Sequence, residues 1–237
     1  MSNALAIARR EFGAYFYSPI AYIFIVIFLL ISGYLFFTEV MIGNAQADMR
    51  PLFGFAPLIF CFFCPAVTMG LFSEERATGT LELLLTLPIT DRETVVGKFL
   101  ASLSLVGVSL LFTIPWAFFV AAYGNVDWGP VIGGYLGLLL MAAGYLAVGL
   151  MASAWTKDQV VSLIVGFLLC FALFLSGKLL QVLPPSVAPL VQAISSDFHF
   201  QSIARGVIDF RDLVYYASLA GVCLLIAETS LESRRWK

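Results

Sequence analysis

The residues able to do chemistry are few and bunched. The stretch from Ser73 to Lys98 holds Glu74, Glu75, Arg76, Glu82, Asp91, Arg92, Glu93 and Lys98, the most charged part of the chain. Cys61-Phe-Phe-Cys64 has metal-motif spacing, but no second pair and no nearby His completes a ligand set. All four cysteines (Cys61, Cys64, Cys170, Cys223) sit in apolar runs, where a thiol behaves as a small hydrophobe and no disulfide framework is indicated. The single histidine, His199, stands between Phe198 and Phe200 and reads as an interfacial side chain rather than a ligand or pH sensor. Gly97-Lys98 and Gly177-Lys178 lack the upstream Gly and the following hydroxyl with which a P-loop cradles phosphate. The expectation is a chain with no catalytic residues, no metal and no cofactor of its own, which does not hydrolyse ATP.

Three features organise the charged stretch. Ser73 can cap a short helix whose first turn holds Glu74 and Glu75, acids at the positive end of the helix dipole. Thr80 to Leu87 is a leucine-rich turn stopped by Pro88, too short to span a bilayer and too apolar to stand fully in water. Thr90 and Glu93 have the spacing of a capping box. The result is a stiff helix-turn-helix lever with exposed leucines flanked by acids. It suits either a soluble partner or an interfacial helix whose leucines dip into the headgroups.

The elements that must hold this lever are membrane helices. The 237 residues are 61% apolar and 12% charged, against roughly half and a quarter in soluble domains. Six apolar segments are long enough to cross, or nearly so: Ile20 to Phe37, Phe55 to Phe72, Phe99 to Ala122, Val131 to Trp155, Val160 to Gly177 and Leu213 to Ala227. The last must borrow partly polar ends, Asp209 to Asp212 and Glu228, or thin the bilayer. With both termini inside, the inner segments carry Arg9, Arg10, Arg76, Arg92, Lys98, Lys157, Arg234, Arg235 and Lys237, and the outer ones Arg50, Lys178, Arg205 and Arg211. Nine against four favours cytoplasmic termini. No basic stripe points to nucleic acid.

Residues 1–18 are expected to form an amphipathic helix along the inner membrane surface, with Leu5, Ala8, Phe12, Tyr15 and Phe16 at helical spacing, rather than a cleaved signal or a loose tail. Pro57, Pro65 and Pro115 should kink or interrupt spans. Gly133 with Gly137, and Ala143 with Ala147, allow close helix approach, within the bundle or between subunits. The outer segment 181–212, with Pro184, Pro185 and Pro189, reads as short helices at the outer face. The middle of every span is free of charge, which disfavours a secondary transporter. The fold expected is therefore all-α: one polytopic transmembrane domain over 1–237, with a charged cytoplasmic loop at 73–98.

The run Glu74-Glu75-Arg76, Gly79-Thr80-Leu81-Glu82-Leu83-Leu84-Leu85-Thr86, Pro88 and Gly97-Lys98 resembles the signature of type 2 ABC-transporter permeases. Ser18-Pro19-Ile20, Pro65-Ala66-Val67-Thr68-Met69 and Phe72-Ser73-Glu74-Glu75 resemble the gliding-motility GldF permeases and, more distantly, the NosY permeases of nitrous-oxide-reductase maturation. That resemblance implies that the loop is a coupling helix seated in a groove of a nucleotide-binding subunit, with Glu74, Glu75, Arg76, Gly79, Thr80, Leu81, Glu82 and Leu83 as contact residues. It also implies a cytoplasmic ABC ATPase dimer that binds the ATP and Mg, a second permease protomer, and a GldG-like accessory membrane protein. Two functions follow: a permease subunit coupling a separate ATPase to export, in gliding motility or surface assembly, or a mechanical subunit conveying ATPase work without moving cargo.

Overall fold

The computed structural model describes residues 3–42, 48–80, 90–124, 126–180, 184, 188–207 and 209–235. Among them the chain is helical, without a strand: α1 (Asn3–Tyr17), α2 (Ile20–Ile42), α3 (Arg50–Thr68), α4 (Gly70–Ala77), α5 (Asp91–Leu111), α6 (Ile114–Tyr123), α7 (Trp128–Trp155), α8 (Gln159–Leu179), α9 (Ala188–Ile194), α10 (Ser196–Ala204) and α11 (Phe210–Arg235). Six of the helical stretches are long and apolar enough to cross a membrane, so this is a multi-pass membrane protein. The last span, read as short from its apolar residues alone, runs from Phe210 to Ser233. It does so by taking Asp212 and Glu228 into the helix, the first of the two remedies expected.

Burial divides the spans. Two thirds (67%) of the most apolar windows of α3–α4 and of α7 are buried within the chain, against 22% for α8 and α11, so the former pair makes the core and the latter two turn most of their surface outward. α7 is the axis, packed against α3, α5, α8, α10 and α11. Its small residues let neighbours come close. A Cβ on Gly133 would lie 2.5 Å from the Ile203 carbonyl, and one on Gly137 3.2 Å from Ile203 and Phe200. This glycine pair therefore receives α10 of the same chain. Tyr145, Leu146 and Ala147, further along, are fully buried.

The prolines act in different ways. Pro57 and Pro65 lie inside α3, and the helix ends just past Pro65, where Met69 N donates to the Pro65 carbonyl (2.8 Å) before the chain resumes as α4. Gly149 and Gly166 give Pro65 its room, since a Cβ on either would come within 3.0 Å of it. Pro115 breaks the third span into α5 and α6, with Thr113 between them. There Thr113 Oγ1 donates to the Leu110 carbonyl (2.7 Å) and lies 2.9 Å from Tyr135 Oη, so the hydroxyl at the break is satisfied inside the protein. Cys61 and Cys64 are buried in α3, with Cys61 Sγ donating to the Pro57 carbonyl (3.3 Å).

His199, expected as an interfacial side chain, packs at the join of α10 and α11. Its Nδ1 lies 2.6 Å from Asp212 Oδ1, and its ring stacks on Tyr215 at 4.2 Å. Tyr215 and Tyr216 donate to the Ile194 and Ser196 carbonyls (2.5 and 2.8 Å). These bonds fasten the short helices α9 and α10 to the last span.

Candidate functional site

The charged stretch emerges at the end of the bundle that carries α1. Contrary to its expected role as an N-cap, Ser73 lies inside α4, which begins at Gly70. The reason is that α4 directly prolongs α3, so no free helix start is left to cap. Ser73 Oγ instead donates back to the Met69 carbonyl, and the side chain is fully buried. The capping box forms as read: Glu93 N donates to Thr90 Oγ1 (3.2 Å) and Thr90 N to Glu93 Oε2 (3.1 Å) at the start of α5. Asn3 Nδ2 adds a bond to the same carboxylate (3.3 Å), joining α1 to this cap.

Three neighbours hold α4. On the α7 side, Ser153 Oγ accepts from Phe72 N (3.1 Å) and Ser73 N (3.2 Å) and donates to the Met69 carbonyl (2.9 Å), so one hydroxyl staples the α3–α4 junction. The Arg76 guanidinium donates to the Ala154 and Thr156 carbonyls (3.1 and 2.8 Å). These carbonyls close α7, where its dipole is negative and a cation is favoured. Ser230 Oγ of α11 shares Ala154 (3.3 Å).

On the α5 side the key group is Lys98, only 2% exposed. Its Nζ donates to the Leu71 carbonyl (2.8 Å) and to Glu75 Oε1 (2.6 Å), and lies 3.8 Å from Glu11 Oε1 of α1. The Phe72 ring stands 5.2 Å away. One buried ammonium thus ties α1, α4 and α5 together. Burial, and after it the Glu11 carboxylate, holds the Tyr15 phenol above its ordinary pKa. It stays neutral and donates toward the Val67 carbonyl (3.5 Å).

Gly97 explains how α1 comes so near. A Cβ there would sit 2.8 Å from Ile7 and 2.9 Å from the Ala4 carbonyl. α1 is therefore docked on α5 through Ile7 and Ala8, both buried, while Leu5, counted on its apolar face, is 48% exposed. Gly97→Val is expected to push α1 off α5 at a cost of about 1–3 kcal/mol. A lower melting temperature and faster proteolysis within residues 3–17 of the solubilised protein are the readout, and unchanged proteolysis would refute the contact.

The eight residues assigned to partner contact separate by position. Glu74, Gly79 and Thr80 are exposed, Glu75 and Arg76 are half-buried and turned to Lys98 and to α7, and Leu81, Glu82 and Leu83 lie outside the described residues, as do Leu84, Leu85 and Pro88. Gly79 has φ +75°, a left-handed turn that glycine adopts freely. Thr78 Oγ1 donates to the Glu74 carbonyl (2.9 Å) and Thr80 Oγ1 to that of Glu75 (3.3 Å), closing the helix end. A cleft of about 420 Å³ opens beside this end, between Glu11, Tyr15, Glu74, Thr78, Lys98 and Gln159. Among the described residues no group of three or more His, Cys, Asp or Glu could hold a metal ion.

The geometry is that of a helix end, α4, that prolongs the α3 span and is anchored to α1, α5 and α7. The description "ABC-2 family transporter protein" matches residues 5–218, almost the whole chain. The chain belongs to the ABC-2 transporter family. No curated protein matches it. As an ABC-2 protein it is the membrane permease subunit of an ABC transporter, working with a separate ATPase subunit. Glu11 and Ser153 are structural residues that the sequence reading did not single out, and the buried contacts of Lys98 and Gly97 had no signal in it.

Proposed function

We propose that this ABC-2 permease sits in a bacterial inner membrane with its α1 end in the cytoplasm, pairs with a second permease protomer, and docks on an ATPase dimer through the segment Glu74 to Leu83, where Glu74, Gly79, Thr80, Leu81, Glu82 and Leu83 touch the partner and Glu75 and Arg76 pass its push into the bundle. The partner binds ATP and Mg, and its closure moves the α4 arm and switches the spans between two packings, driving export. The observation that carries this reading is the two-sided arm: Glu74, Thr78, Gly79 and Thr80 face outward, while Lys98, Arg76 and Ser153 lock the inner face to α1, α5 and α7. A patch that touches a partner on one side and two spans and α1 on the other can transmit force. The GldF-like runs around Ser18-Pro19-Ile20 and Pro65 to Met69 support a role in gliding motility or surface assembly, with a GldG-like accessory protein as a further partner.

The test is co-purification of the tagged permease with its ABC ATPase. Leu81→Asp and Glu82→Lys, which place a charge or reverse one at the centre of the docking segment, are expected to lower ATPase recovery at least tenfold, since an unpaired interfacial charge costs about 2–5 kcal/mol. Full retention of the ATPase by both variants would sink the docking assignment.

A further inference from the structure

At the end of the bundle opposite α1 lies a cavity of about 500 Å³, within the size range of small-ligand clefts. It gathers the first turn of α3, the start of α7, the end of α8 and one face of α10. Its rim carries three cations from distant parts of the sequence, Arg50, Lys178 and Arg205, around the single carboxylate of Asp197. The buried Phe53 and Phe200 form its apolar side, with Pro130 beside them.

The charges are not balanced by one another. Asp197 is 5% exposed and already occupied, with Oδ2 accepting from Lys178 Nζ (3.0 Å) and Gln201 Nε2 (2.8 Å). Arg50 Nε is paired with Asp48 (3.0 Å), and its side chain is 78% exposed. The Arg205 side chain has no partner among the described residues. Counting Asp48, three cations face two carboxylates, and the guanidinium left over belongs to Arg205. Lys178 also lies 5.3 Å from the Phe174 ring, which steadies its stem while half the side chain stays open. A planar guanidinium grips a phosphate oxyanion bidentately, and a nearby ammonium adds a point charge.

We propose that this cavity is a binding site for a phosphate oxyanion carried on an amphiphile, the anion held by Arg205 and Lys178 with Arg50 at the rim, and the apolar part lying along Phe53 and Phe200. The site stands apart from the docking arm and can be tested whether or not that reading holds. Gly54, exposed on the cavity wall with no atom within 4 Å of where its Cβ would be, leaves the mouth open to a bulky headgroup.

The experiment uses the full-length permease in detergent. Retention of phosphatidylglycerol against phosphatidylcholine of identical chains is read by native mass spectrometry, and inorganic phosphate at millimolar concentration is the competitor. Phosphatidylglycerol is expected to be retained in excess, and Arg205→Gln to lower its retention about tenfold, the worth of a charge-assisted pair. Gly54→Leu, which narrows the mouth without touching a charge, should expel the lipid but spare inorganic phosphate. If inorganic phosphate binds with the same Arg205 dependence and the lipid does not, the oxyanion site stands and its source is a free anion. Equal retention of both lipids with no Arg205 effect on phosphate overturns the proposal. So does an equal loss on Arg92→Gln at the α1 end, which would mark general surface attraction.

Discussion

Lys98→Met is expected to lower the melting temperature of the solubilised permease by on the order of 10 °C, from a cost of about 3–5 kcal/mol for breaking a buried ion pair. The substitution nearly conserves volume, so the loss is electrostatic. Glu75 Oε1 would lose its 2.6 Å partner, while Glu75 Oε2 is already buried without one, leaving an uncompensated carboxylate. The Leu71 carbonyl would lose its extra donor as well. The discriminating comparison is Lys98→Met with Glu75→Met, which removes both charges and should recover more than half of the loss, because an apolar pair in place of a buried ion pair is close to neutral. A double variant no more stable than the single one would show that Lys98 acts through packing against Phe72. Glu11 is then the remaining neighbour of the site, and its bond to Arg10 (2.6 Å) keeps it partnered.

The spans, the break at Pro115, the capping box and the helical nature of residues 3–17 were legible because each is a local signal: an apolar run of bilayer length, a missing N–H, a three-residue spacing, a period of 3.6. The inward face of the arm was not. Lys98 meets Glu75 across 23 residues of sequence and Glu11 across 87, Arg76 finds its carbonyls 78 and 80 residues on, and Ser153 reaches back 81 and 80 residues to Phe72 and Ser73. In a helix that is apolar on most sides, periodicity cannot say which side meets protein and which meets lipid. Ser73 shows the local version of the same problem. A serine before two glutamates is a sound N-cap signal in a free helix, and it failed because α3 passes almost unbroken into α4. The neighbours of His199 in sequence, Phe198 and Phe200, likewise gave no sign of Asp212, which the turn from α10 to α11 brings to it.

The other large effect belongs to Arg76, whose position on the arm differs from that of Glu74. Its guanidinium is spent on the last carbonyls of α7, a helix of the buried core, whereas Glu74 faces outward. Arg76→Met is therefore expected to leave the ATPase bound within about twofold, yet to reduce permease-dependent stimulation of its ATPase activity about ten- to a hundredfold. That range corresponds to the loss of charged hydrogen bonds together worth about 1.5–3 kcal/mol. The structural readout is a distance measured between spin labels on Ala77→Cys and Lys157→Cys, both exposed and flanking the contact. ATP should move this pair as one body in the parent protein, holding the distance narrow, and should broaden it in the variant once α4 slides along α7. Ser153 still staples the α3–α4 junction in the variant, so the arm stays folded and the effect is confined to its outer half. Two outcomes defeat this account. Loss of the ATPase from the complex would make Arg76 a docking residue, and full stimulation with an unbroadened distance would mean that force enters the bundle through Lys98 and α5 alone.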